Sequence, residues 1–148
     1  MIEFQRSIEL KTRSNFEEFL TSDHTARVYE EGQLVFFSKK ARLFPLLDYL
    51  DEFSSPSGKI VVIFDKVVGN SVVLLAILAG CSRIYTPLGS ELAVSTLKKY
   101  GISYHILETV PYIQRADGQG MCPMEKLSLN KGPAEFYEAL KSQQNPEK

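Results

Sequence analysis

The stretch "KIVVIFDKVVGNSVVLLAILAG", residues 59–80, decides the fold. After Lys59, residues 60–64 form a continuous apolar run rich in β-branched side chains, which is typical of a strand buried on both faces in a parallel sheet. Residues 65–80 are apolar almost all round, so we expect a helix that is buried against this sheet and ends at Gly80. A buried strand that leads into a buried helix indicates an α/β protein.

The chain downstream of this stretch continues to alternate between strand and helix patterns. "RIYTP" (83–87) predicts a short strand, and "ISYHILETV" (102–110) predicts another strand with alternating apolar residues. "SELAVSTLKKYG" (90–101) predicts a helix between them, with Ser90 as N-cap and Gly101 as stop signal. This order implies right-handed crossovers and a mostly parallel sheet.

The chain upstream of the stretch predicts a hairpin and two helices. "ARVYEEGQLVFF" (26–37) predicts a β-hairpin whose turn uses Gly32. "ARLFPLLDYLDEF" (41–53) has apolar residues at helical spacing, and "SNFEEFL" (14–20) predicts a short helix with Ser14 as N-cap. The predicted fold is a three-layer α/β/α sandwich with a mixed, mostly parallel sheet opened by the hairpin.

The two ends of the chain carry weaker patterns. "IEFQRSIEL" (2–10) has apolar residues at even positions, which favours a strand-like arm that forms a sheet edge or docks on the partner subunit of a homodimer. "GPAEFYEAL" predicts a last helix over 133–142, and we expect residues 143–148 to be a disordered tail. The whole chain, 1–148, is predicted to be a single domain with its core at about residues 14–130.

Composition excludes several classes of protein. The formal net charge is −1, so no basic field attracts nucleic acid or an anionic membrane. The charged N-terminus does not resemble a signal peptide, and the longest apolar run is too short to span a bilayer. The two cysteines form no disulfide framework, which favours a reduced, cytoplasmic protein.

Three motifs carry a resemblance to a known family. "DKVVG" (65–69) before a buried helix, together with "VPYI" (110–113) and "GMCPMEKL" (120–127), resembles the small bacterial family called domain of unknown function 1893. The resemblance covers roughly residues 14–130. It implies a cytidine-deaminase-like fold that lacks the zinc site, and it implies no established activity.

The residues themselves also argue against a deaminase zinc site. A zinc deaminase needs H-x-E or C-x-E at one helix start and P-C-x-x-C at the next. Here His24, His105, Cys81 and Cys122 stand alone in the sequence, and neither expected helix start offers the motif. We therefore expect no metal and no cofactor.

The turn after the central strand is the first candidate binding site. In sheets of this type ligands sit beyond the carboxyl ends of the strands, where Asp65, Lys66 and Gly69 fall. A helix N-terminus attracts anions, Lys66 adds positive charge, and Gly69 permits close approach of a ligand. The alternative is purely structural: Asp65 is an N-cap, Lys66 is exposed and Gly69 serves packing.

The second candidate is the loop "QRADGQGMCPMEKL", residues 114–127. Gly118 and Gly120 allow an anion-binding nest of backbone amides, and Arg115 is suited to grip a phosphate or carboxylate. The alternative is that the glycines only form a turn and that Arg115 pairs with Asp117.

Cys122 is the candidate catalytic residue. With Pro123 at the first helical position, Cys122 would cap a helical turn, where a thiol becomes a better nucleophile. Glu125 then falls at the third helical position, where a carboxylate helps to close a capping arrangement but would also oppose thiolate formation at Cys122. Glu125 is also a candidate ligand-binding residue. The alternative is a small cysteine that packs like alanine.

Three functions are compatible with these residues. The favoured one is a non-catalytic module that binds or senses a small molecule, either nucleotide-like or a phosphorylated metabolite. The second is a thiol-dependent enzyme or sulfur-transfer protein that uses Cys122. The third is an assembly protein that acts through its N-terminal strand.

Overall fold

The computed structural model describes residues 2–53 and 58–143, which form six helices and six strands. The helices are α1 (Ile2–Thr21), α2 (Phe44–Glu52), α3 (Asn70–Leu78), α4 (Glu91–Lys99), α5 (Pro123–Ser128) and α6 (Pro133–Gln143). The strands are β1 (Ala26–Glu30), β2 (Gln33–Ser38), β3 (Val61–Asp65), β4 (Val67–Val68), β5 (Cys81–Ser90) and β6 (Ser103–Val110). No helix among these residues is long and apolar enough to cross a membrane.

The central unit is β3 followed by α3, as the apolar pattern predicts. Every residue of α3 from Asn70 to Ala76 is buried, which explains why this segment has no polar face. The helix ends before Gly80, whose φ of +76° is readily adopted only by glycine.

The sheet is mixed, and all described strands belong to it. β1 pairs antiparallel with both β2 and β3, whereas β3, β4 and β6 pair parallel with β5. The order across the sheet is β2, β1, β3 with its continuation β4, β5 and β6. At the turn of the predicted hairpin, Glu31 and Gly32 both have positive φ, the geometry that suits a two-residue connection.

Helices cover both faces of the sheet, because successive strand residues point to opposite sides. On one face, Phe64 and Tyr85 pack against Phe16 and Phe19 of α1. The other face carries the larger core, in which strand residues such as Ile63 pack with α2, α3, α4 and α6. The larger face is closed by several helices, whereas α1 covers the middle strands of the other face.

The predicted N-terminal arm is wrong. Residues 2–10 belong to the 20-residue helix α1, and Ser14 lies inside that helix and does not cap it. Alternation of apolar residues over nine positions does not by itself distinguish a strand from a helix, and the same helix packs Phe16 and Phe19 in its second half against the sheet. A pairing strand at the N-terminus therefore has no structural basis.

Two boundaries near the centre also differ from the predictions. The helix after β3 begins at Asn70 with Gly69 as N-cap, because Val67–Val68 continue the sheet as β4. Strand β5 covers Cys81–Ser90, which is twice the length predicted from 83–87. Gln143 is the last residue of α6, and the rest of the predicted tail, 144–148, lies outside the described residues.

Candidate functional site

Asp65 ends β3 with a buried carboxyl group. Its Oδ1 accepts a hydrogen bond from the backbone N–H of Val67 at 3.2 Å, whereas its Oδ2 has no hydrogen-bond partner. Burial raises the pKa of Asp65 to about 8, and the nearby backbone N–H groups and the charge of Lys66 only partly oppose this shift. Asp65 thus closes the β3–β4 turn and does not cap α3.

Lys66 points away from the start of α3. Its ammonium donates a hydrogen bond to the carbonyl of Ser22 at 2.9 Å, just beyond the end of α1, and lies 4.7 Å from the centre of the Phe19 ring. Both contacts favour a cation. The side chain therefore fastens α1 to the sheet.

The N-terminus of α3 is occupied by Glu125. Its Oε1 accepts a hydrogen bond from the backbone N–H of Asn70 at 2.6 Å, and its Oε2 accepts one from Ile113 at 3.0 Å. Gly69 makes this approach possible, since a Cβ there would lie 2.7 Å from Oε1. The anion that this helix end favours is a carboxylate of the chain itself.

A buried polar network surrounds this contact. The Asn70 amide donates to the hydroxyl of Ser128 at 3.0 Å, and that hydroxyl donates to the carbonyl of Glu125 at 2.6 Å. The hydroxyl of Thr96 donates to Oδ1 of Asn70. The network joins α3, α4 and α5. Sequence reasoning missed Asn70, Thr96 and Ser128. The available signal was Asn70, a polar residue at the start of the apolar helix α3.

The glycine-rich loop is a tight turn. Gln114 and Met121 form an antiparallel bridge, and Arg115 N–H donates to the carbonyl of Gly120 at 2.8 Å. Gly118 and Gly120 have positive φ, as a turn of this kind requires. The guanidinium of Arg115 pairs with the Asp117 carboxylate at 3.1 Å, and both side chains are about half exposed. The geometry matches the turn alternative.

The two cysteines differ in environment. Cys122 is half-buried and caps the six-residue helix α5 through its backbone, with no side-chain hydrogen bond to that helix. Cys81 is buried, its Sγ lies 3.1 Å from the carbonyl of Arg83, and burial raises the pKa of the Cys81 thiol to about 12.

A polar cleft of about 250 Å³ lies on the other side of the sheet, between α1 and the strands β5 and β6. We call it the α1–β6 cleft. Its lining residues are Glu9, Arg13, Arg83, Tyr85, Ser103, Tyr104 and His105.

Two arginines give the α1–β6 cleft its character. Arg83 donates a hydrogen bond to the Tyr85 hydroxyl at 3.2 Å, and neither Arg83 nor Arg13 forms an ion pair with a carboxylate of the described residues. The His105 ring stands 5.8 Å from Phe16 and 5.5 Å from Tyr85, centre to centre. Arg13 is exposed and Arg83 is half-buried, and two guanidinium groups beside a histidine and a hydroxyl are suited to an anion.

No metal centre is formed by the described side chains. No group of three histidine, cysteine, aspartate or glutamate residues within 9–53 and 58–143 is close enough to hold a metal ion.

The comparisons with known proteins come from both sequence and structure. The family model described as domain of unknown function DUF1893 (TM1506) matches residues 15–143. The chain belongs to this family. A DUF1893 family protein from Thermotoga maritima, known from a crystal structure, is 28% identical and has a TM-score of 0.79, with 89% of this chain and 88% of that chain covered. No curated protein matches the sequence.

In this DUF1893 protein the predicted site residues separate into four places. Gly69 and Glu125 meet at the start of α3. Asp65 and Lys66 serve the β3–β4 turn and α1, and Arg115, Gly118 and Gly120 shape the loop after β6. Cys122 lies between that loop and α5. Each of these residues has a structural partner or role in the fold. Ligand binding by them stays a prediction.

Proposed function

We propose that this DUF1893 protein is a non-catalytic module that binds a small phosphorylated or carboxylated metabolite in the α1–β6 cleft. The observation that carries the proposal is the convergence of Arg13, Arg83 and His105 on one polar cavity of about 250 Å³. Guanidinium groups bind the oxygens of phosphate and carboxylate in pairs.

The position of the arginines supports binding of a discrete ligand. Arg83 stands on a central strand and is held by the Tyr85 hydroxyl, so part of the cost of ordering its side chain is met before a ligand arrives. Arg13 approaches from α1 and is exposed. A ligand anion between them would replace water on both cations. Glu9 at the same cleft favours a ligand that also carries a hydroxyl or amino group.

The comparison with cytidine deaminases belongs to the same proposal. It is supported by the hairpin at one sheet edge, the antiparallel β1–β3 pair and the parallel strands β3, β5 and β6 with helices between them. If the protein shares the cytidine-deaminase fold, a nucleotide-like compound is a natural candidate for its ligand. We also propose that the protein is cytoplasmic and forms a homodimer, and that neither nucleic acid nor a membrane is its partner.

The test is a thermal-shift screen followed by calorimetry. The screen uses nucleoside phosphates, sugar phosphates, dicarboxylates, inorganic phosphate and pyrophosphate. We expect at least one phosphorylated compound to raise the melting temperature, because a ligand that binds only the folded state stabilises it. Arg83→Gln should weaken its binding roughly tenfold or more, in line with loss of a charge-assisted hydrogen bond.

Arg115→Gln is the matched control, because Arg115 is the arginine that the sequence placed in a ligand site. It lies in the loop after β6 and pairs with Asp117. If Arg115→Gln abolishes binding and Arg83→Gln does not, the ligand site is the loop. If no compound binds the native protein, the proposed function fails.

A further inference from the structure

A second cavity, of about 240 Å³, lies on the helix-rich face of the sheet. It is formed where the start of α2 meets α5 and the end of α6, so no element is shared with the α1–β6 cleft. We call it the Arg42 pocket. Its lining residues are Arg42, Leu43, Phe44, Leu47, Met124, Leu140 and Gln143.

The Arg42 pocket has an apolar interior and a polar rim. Leu43, Leu47 and Leu140 are buried core residues, so they form a floor that is fixed by packing. Phe44 is 50% exposed and forms an apolar wall, and the half-buried Met124 is a side chain that adapts to irregular shapes. The guanidinium of Arg42 and the amide of Gln143 supply the polar groups.

Arg42 is held in an unusual backbone conformation. Its φ is +59°, in the left-handed region that residues with a Cβ seldom occupy. Glycine would adopt this conformation without strain, and many polar residues would suit an exposed position before a helix. The chain instead places an arginine there, at the edge of an apolar cavity. No carboxylate of the described residues forms an ion pair with it.

We infer that the Arg42 pocket binds a small amphipathic carboxylate, with its apolar body on the leucine floor and its carboxylate on Arg42. The size of the ligand follows from the volume. At about 30 Å³ for each water-sized group, 240 Å³ holds about eight such groups, which matches the chain of octanoate. A floor of leucines gains from burial of that chain, and a guanidinium pairs with a carboxylate.

This inference does not rest on the proposed function, because the two cavities lie on opposite faces of the sheet. Arg83→Gln should leave the Arg42 pocket unchanged, and loss of Arg42 should leave the α1–β6 cleft unchanged. The experiments can therefore reject ligand binding at one cavity without rejecting it at the other.

The test compares three probes of one length: octanoate, octanol and octylamine. Binding to the whole protein is followed by two-dimensional NMR of the methionine and leucine methyl groups, with calorimetry for affinity. Octanoate should bind saturably and shift the Met124 methyl signal. Octanol should bind more weakly, and octylamine should bind least, because its charge is repelled by Arg42.

Two classes of variant separate charge from shape. Arg42→Gln should weaken octanoate about tenfold and leave octanol unchanged, whereas Phe44→Ala should weaken both. Arg42→Gly should weaken octanoate equally without lowering the midpoint of urea unfolding, since glycine relieves the positive φ. Arg115→Gln is the control arginine and should change nothing.

Three results would overturn the inference. One is the absence of saturable octanoate binding. Another is equal binding of all three probes, which would indicate a non-selective apolar patch. The third is octanoate binding that survives both Arg42 substitutions unchanged.

Discussion

Glu125 accepts a hydrogen bond from the backbone N–H of Asn70 at 2.6 Å, across 55 residues of sequence. The other oxygen of the same carboxylate accepts from Ile113. One buried side chain thus caps α3 and fixes the chain after β6. The contact also explains why the strand-end site expected from the sequence is closed at this point.

Glu125→Gln should destabilise the protein by about 1–3 kcal/mol, because the amide offers only one acceptor oxygen for the buried N–H of Asn70 and the partly buried N–H of Ile113. The free energy of unfolding from urea titration measures the change. Glu135→Gln is the matched control, since Glu135 accepts one backbone hydrogen bond at an exposed position on α6. A cost below about 0.5 kcal/mol at Glu125 would mean that its hydrogen bonds do not stabilise the fold.

Gly69→Ala should cost about 1–3 kcal/mol, because its Cβ would lie 2.7 Å from Glu125 Oε1 and 2.9 Å from Ile113 Cγ1. Gly132→Ala provides the comparison, since a Cβ at Gly132 meets no atom within 4 Å. In the background of Glu125→Ala, the cost of Gly69→Ala should fall, because the nearest clash is removed. Equal costs in both backgrounds would contradict the proposed clash.

Asp65 should make stability depend on pH. Below about pH 4 both the folded and unfolded states hold the Asp65 proton, so Asp65 does not make the free energy of unfolding depend on pH in that range. Between about pH 4 and 8 the unfolded state releases the proton while the folded state keeps it, because the folded pKa is raised to about 8. The free energy of unfolding therefore falls as pH rises, by up to about 1.4 kcal/mol per pH unit.

The variant Asp65→Asn should lose this dependence and be more stable than the wild type at pH 8. Urea titrations from pH 4 to 9 give the difference curve between the two proteins. Asp117→Asn, in the exposed loop, should follow the wild-type curve. Parallel curves for wild type and Asp65→Asn would show that Asp65 ionises normally in the folded protein.

Cys122 should be the thiol that reacts in the native protein. Cys81 is buried and its thiol pKa is raised to about 12, so it should react with Ellman's reagent only after unfolding. Cys122→Ser should remove the native reaction, and Cys81→Ser should preserve it. Reaction of Cys81 in the native state would contradict its burial.

The pH profile of iodoacetamide alkylation tests the thiol-dependent function. A half-maximal rate well below about pH 8 would support an activated Cys122, whereas an ordinary profile near the usual thiol value of about 8.5 would remove its basis. Cys81→Ser is the protein to use, so that one thiol is followed.

Much of the fold was predictable because its signals are local. The apolar run before Asp65 and the apolar helix after it identified the centre of the sheet, and Gly80, Ser90 and Gly101 marked helix ends as expected. Ser90 accepts the predicted capping hydrogen bond from Ala93 at 3.0 Å.

The errors arose where tertiary contacts override the local pattern. Residues 2–10 alternate like a strand, but they continue the helix that packs Phe16 and Phe19 on the sheet. Val67 and Val68 look like the start of a helix, but pairing with β5 keeps them extended.

The site was harder to predict because its residues are distant in sequence. Arg13 lies on α1, whereas Arg83 and His105 lie on neighbouring strands whose register places Tyr85 opposite His105. The register between two strands cannot be read from the sequence of either strand alone. The available signal was that Arg83 and Tyr85 alternate on β5 and therefore point to the same face of the sheet.

The contact between Asn70 and Glu125 also has a consequence for folding during synthesis, because the two residues are made at different times. Asn70 leaves the ribosome 55 residues before its carboxylate partner, which at 5–20 residues per second is a delay of roughly 3–11 s. Throughout that interval the nascent chain holds an apolar helix whose first amide lacks its partner. The segment that contains Glu125 therefore completes the capping of α3 late in synthesis. Chains truncated before Glu125 lack this contact and should depend on chaperones.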